Sequence, residues 1–196
     1  MHALSLAVIG VVVVKAAAVR VVDVSFDRIV PRGGEGEWLE VAIEVEGARV
    51  PGATRPLTVG LDLALEREES EAARHAFYRA EAVILLPEEG ADATVYFYLP
   101  PALVERYELR GEPFGWRVRL AQEGRVWPQL RGTYSDSLAD PEAARSFAQR
   151  VTEAAEANGG WLQPIYLTPF YEAENGRLFA SPSYLRRELV GPGTVP

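Results

Sequence analysis

The sequence predicts a mainly β protein, an antiparallel β-sandwich with one amphipathic helix packed on it. Three observations carry the prediction. Apolar and polar residues alternate with period two in several segments, as they do in strands with one dry face and one wet face. Turn-forming glycines and prolines separate these segments, which reads as a sandwich or a barrel, and one-sided strands with prolines at edge positions favour the sandwich. Only Asp140 to Gly160 combines a helical period with clear start and stop residues.

The strands follow in chain order. In "VRVVDVSF", Val22, Val24 and Phe26 are expected on one side. In "WLEVAIEVEG", Leu39, Val41, Ile43 and Val45 face one way, and Glu40, Glu44 and Glu46 face the other. "LTVGLDLALE" repeats the pattern with Leu57, Val59, Leu61, Leu63 and Leu65. The charged stretch Glu66 to Arg74 fits either a helix or a hairpin loop. "FYRAEAVILL" and "TVYFYL" follow, the second with Tyr96 and Tyr98 opposite Phe97. "WRVRLA" alternates Trp116, Val118 and Leu120 with Arg117 and Arg119, and "QEG" can turn it into a hairpin with "RVWPQL".

Between these strands, Pro100-Pro101 end one ladder because neither offers an amide, and Pro101 opens a short helix to about Tyr107. That segment is expected to turn a corner, with Leu103, Val104 and Tyr107 capping the core. The main helix is expected over 141–157, with Asp140 as N-cap, Pro141 at the first position and Asn158-Gly159-Gly160 as its stop. Ala144, Phe147, Ala148, Val151 and Ala155 share its apolar face. One domain is expected over 19–190, followed by a tail, 191–196.

The chain has 196 residues, 48% of them hydrophobic, which is enough for a sizeable core. Its net charge of -8 disfavours nucleic acid and anionic membranes as partners. With no cysteine, disulfides and thiolate chemistry are excluded. "ALSLAVIGVVVV", Ala3 to Val14, is an apolar run of signal-peptide length followed by Ala16-Ala17-Ala18, so 1–18 is expected to be an export signal cut after Ala18. The n-region lacks the usual positive charge, and residues 8–14 as a buried strand leading into Val19 are the alternative. Gly10 lacks the flanking residues of a prepilin leader. Periplasm or cell surface is the expected location, with no stable membrane span after cleavage.

Little here points to catalysis. After cleavage His75 is the only histidine, in a charged segment, and no nucleophile elbow or phosphate loop occurs. "DSLAD", Asp136 to Asp140, lacks the glycine and distal glutamate of a calcium loop. No catalytic residue, metal or cofactor is expected, although the many carboxylates leave room for a hydrolase pair. Aromatic residues offer the better case for binding: Trp38, Tyr96, Tyr98 and Trp127 are the expected binding surface. Such a surface serves either a partner protein or, as the alternative function, an exported carbohydrate-binding module with an aromatic platform.

Three segments carry a family resemblance: "VRVVDVSFDRIVPRGGEGEWLEVAIEVEG", "FYLPPALVERYELRG" and "NGGWLQPIYLTPF". Together they resemble a family of verrucomicrobial pilus-associated proteins with an immunoglobulin-like, archaeal-pilin-like fold. The resemblance implies an immunoglobulin-like or fibronectin-like sandwich, export, and a link to a type IV pilus-like system, with no enzymatic site to carry over. Because a prepilin leader is missing, an accessory or surface subunit fits better than a polymerising pilin. The expected partners are envelope or pilus proteins, with self-association through sheet edges as a further option.

Overall fold

The computed structural model describes residues 19–47, 56–66, 75–85, 92–109, 112–122, 130–171 and 183–184. The expected export signal, Trp127, most of the charged stretch Glu66 to Arg74 and the expected tail lie outside them.

Two sheets face each other across a common core. The first runs β7 (Leu130–Arg131), β1 (Val19–Ile29), β2 (Trp38–Glu46), β5 (Ala93–Leu99) and β9 (Gln163–Pro164). The second runs β10 (Ser183–Tyr184), β4 (His75–Leu85), β3 (Pro56–Glu66), β6 (Gly115–Gln122) and β8 (Thr133–Tyr134). The long strands all pair antiparallel, while β7 joins the start of β1 in parallel. Strands β1, β2 and β5 facing β4, β3 and β6 reproduce the arrangement of an immunoglobulin-like sandwich.

Alternation decides which side chains meet in the middle. Leu39, Val41, Ile43 and Val45 from β2 pack with Val95, Phe97 and Leu99 from β5 and with Leu57, Val59, Leu61, Leu63 and Leu65 of β3. Burial of this apolar surface is the main stabilising contribution, at about 25 cal/mol per Å² removed from water. In β1 a bulge at Val22 shifts the register between Val21 and Asp23. Val21, Val24 and Phe26 therefore turn toward the core, while Val22, expected to share their side, is 46% exposed.

Both helices do what their sequences suggest. Helix α1 (Pro101–Arg106) closes one end of the sandwich with buried Leu103 and Val104, and the Tyr107 hydroxyl lies 3.0 Å from that of Tyr78. Helix α2 (Pro141–Ala154) starts where Asp140 accepts hydrogen bonds from the Glu142 and Ala143 amides, and it is shorter than the expected span because turns replace helix after Ala154. Its Phe147 and Val151 pack with Ala64 and Leu138 on the outer face of the second sheet.

Most of the expected hairpin, "QEG" with "RVWPQL", lies outside the described residues. Leu130 and Arg131 join β1, and two residues later Thr133 and Tyr134 join β6, so the chain changes sheets at Gly132. A Cβ at Gly132 would lie 2.1 Å from the Val118 carbonyl oxygen, so the crossing needs glycine. On the outer face of the second sheet, Asp62 has no accessible side-chain surface and accepts hydrogen bonds from Arg79, Arg117 and Arg119. Burial alone would raise its carboxyl pKa. The hydrogen bond from Arg79, the charge of Arg119 and the hydrogen bond from Arg117 outweigh it, so Asp62 titrates below its ordinary value.

Candidate docking surface

The aromatic platform expected from the sequence is not assembled as an exposed surface. Trp38 and Tyr98 do share the outer face of the first sheet, but both are buried. The segment after α2 folds back over them and wedges Phe170 between the two rings, 4.9 Å from Trp38 and 5.1 Å from Tyr98, edge-on to both. Ile165 completes this small second core. The Tyr98 hydroxyl donates to the Glu40 carboxylate at 2.6 Å, so Glu40, expected on a wet face, is buried too. Tyr96 is half-buried, with its backbone amide donating to the Tyr184 hydroxyl at 3.3 Å. The reason is tertiary: strand periodicity tells which residues share a face, not whether a distant segment covers it.

That same C-terminal region covers parts of one lateral side of the sandwich, where β5 and β4 form the sheet edges. Strand β9 pairs with β5 and strand β10 with β4. The Asn158 side-chain amide donates to the Phe77 carbonyl at 2.8 Å, and the Tyr166 hydroxyl makes a long 3.5 Å contact to the Glu81 carbonyl. Several backbone groups that would otherwise await another strand are thus occupied.

On the opposite side, bordered by β1 and β6, the described residues cover one end. There β7 covers Val19 and Arg20, and β8 covers Arg117 and Val118. Among the described residues no strand pairs with the outer edge of β1 from Asp23 to Ile29. No residue of β1 is fully buried, in contrast to β2 and β3, and Val24 and Phe26 remain half-buried although they point into the core. Phe26 reaches across to Trp116 in the other sheet, with ring centroids 5.9 Å apart.

Charge gives this edge a sign. Arg20 pairs with Glu46 at 2.6 Å and Arg28 pairs with Glu37, so both cations of β1 are satisfied within the chain. Asp23 and Asp27, on the outward face between them, have no ionic or hydrogen-bonding side-chain partner among the described residues. The edge can therefore accept a backbone ladder, apolar side chains beside Val24 and Phe26, and cations opposite the two aspartates. Sequence reading pointed to edge strands in general; it could not single out β1, because edge position is a property of the assembled sheet.

No family model matches the chain, and neither does any curated protein. Among solved structures the chain is similar to one from Akkermansia muciniphila, with a TM-score of 0.59 and 15% sequence identity. The match covers 87% of this chain and 95% of that one, so the two share the β-sandwich over nearly their whole lengths.

Proposed function

We propose that this chain is a non-enzymatic, exported envelope protein, an accessory or surface subunit of a type IV pilus-like system that works through protein contacts. The observation that supports the reading is the edge of β1 from Asp23 to Ile29, which no strand pairs among the described residues, in a fold whose other lateral side is partly covered by its own C-terminal segment. The partner inserts an extended, basic segment along Asp23 to Ile29. Further support comes from the three sequence segments that resemble verrucomicrobial pilus-associated proteins, and from the fold shared with a protein of the verrucomicrobial Akkermansia muciniphila. No helix among the described residues is long and apolar enough to cross a membrane.

The test is made in cells that express the full chain. A photo-crosslinking residue at Ser25, on the outer face of β1, is compared with one at Gln149 on α2. The expected result is a mature protein beginning at Val19 in the envelope fraction, crosslinked from Ser25 to a pilus-type subunit and not from Gln149. Asp23→Lys with Asp27→Lys should abolish that crosslink. Retention in the cytoplasm, or equal crosslinking from both positions, overturns the proposal.

A further inference from the structure

A second feature lies at the end of the sandwich where the loop before β6 meets the segment after β8. Phe114 and Tyr134 are 51% and 52% exposed, unusually high for large apolar side chains, and both line one open cleft of about 450 Å³. Trp116 and Glu112 also line this cleft, and the indole N–H donates to the Glu112 carboxylate at 2.5 Å. The wall is held firmly. The Ser135 amide donates to the Trp116 carbonyl at 3.0 Å, the Trp116 amide donates back to the Ser135 hydroxyl at 3.1 Å, and the Ser135 and Ser137 hydroxyls are 2.8 Å apart. Phe114 is backed by the His75 ring at a centroid distance of 4.1 Å.

We propose that this cleft binds a neutral sugar ring of a glycan. A pyranose has an apolar C–H face and a rim of hydroxyls, and the cleft supplies complements to both. Exposed aromatic rings pack against the apolar face and recover surface that is otherwise wet. The Asp136 carboxylate, the Tyr134 hydroxyl and the second oxygen of Glu112 have no protein partner among the described residues, so they are available to the hydroxyl rim. Two carboxylates in the cleft of a chain with net charge -8 select against uronic and sulfated sugars. Trp116 links the cleft to Phe26 of β1, yet sugar binding there does not require a partner on the β1 edge.

The experiment titrates the isotope-labelled full chain with cellotriose and with chitotriose, followed by NMR. The expected result is saturable shifts, with millimolar affinity, at the Trp116 indole N–H and at the amides of Phe114 and Tyr134. Phe114→Ala and Tyr134→Ala should each weaken binding by about 2- to 10-fold while leaving circular dichroism and melting unchanged. Both side chains are exposed, so neither substitution empties the core. Trigalacturonate should bind more weakly than either neutral sugar. The proposal is overturned if neither neutral trisaccharide shifts these resonances, if the shifts fall elsewhere, if both alanine variants bind as tightly as the parent, or if trigalacturonate binds equally well.

Discussion

The two lateral sides of the sandwich solve the same edge problem differently. On the β4 and β5 side, short strands, a tyrosine hydroxyl and an asparagine amide occupy backbone groups, and Phe170 anchors the covering segment between Trp38 and Tyr98. On the β1 and β6 side, the crossing at Gly132 covers one end and leaves most of β1 with a half-buried apolar face and two aspartates without side-chain partners among the described residues. Covering an edge takes residues beyond the strands themselves. Among the described residues this chain places more of them on the β4 and β5 side, and the proposed partner strand takes the stretch of β1 that they leave unpaired.

The largest expected effect tests whether Phe170 holds the closed side. Phe170→Ala should cost about 4 kcal/mol in denaturant unfolding, as for other fully buried aromatic residues. Phe26→Ala, on the open side, should cost less than half of that because Phe26 is only partly buried. Equal losses would erase the contrast between the two sides.

Asp62 links the sides, since Arg79 comes from β4 and Arg117 and Arg119 come from β6. Asp62→Ala should cost about 3 kcal/mol, chiefly because guanidinium groups shielded within the sheet face lose their counter-charge. The same group predicts acid sensitivity. Its folded pKa lies below the ordinary 3.8, so its stabilising contribution is complete above that pH and is lost as the pH falls through the depressed folded value. Stability measured down this acid range should therefore fall less steeply in the Asp62→Ala variant than in the parent.

A smaller effect concerns the buried Tyr98–Glu40 hydrogen bond. Tyr98→Phe keeps the ring against Phe170 and removes one donor to a buried carboxylate, for an expected loss of about 1–2 kcal/mol. The finest test is hydrogen exchange. The Tyr96 amide should exchange slowly and speed up in Tyr184→Phe, whereas outward-pointing amides of β1 between Asp23 and Ile29 should exchange fast in the parent. Slow exchange along all of β1 would show that its edge is covered.

Much of the fold was legible because its signals are local. The inward sets of β2, β3, β5 and β6 follow from alternation, and Asp140-Pro141 marks the start of α2 from capping chemistry alone. The docking surface was less legible. Tyr96 and Tyr98 were correctly placed on one face, yet the cover over Tyr98 comes from Phe170, far along the chain and in a stretch without strand or helix periodicity. Phe114 and Tyr134 were missed for the opposite reason: they stand in turn-rich stretches, "EPFG" and "GTYSDS", where no period assigns them a face. An exposed aromatic next to glycine and hydroxyl residues is the signal that would have found them.

The sequence by itself determined the strand faces, the proline corner at Pro100-Pro101 and the helix start, since each depends on neighbours within a few residues. Only the tertiary structure decided which strands became edges, which edge was left open and which aromatic residues were covered. The Val22 bulge, the sheet change at Gly132 and the Phe170 wedge each depend on contacts between segments distant in sequence. Those contacts are set by how the two sheets meet, and period-two patterning says nothing about that.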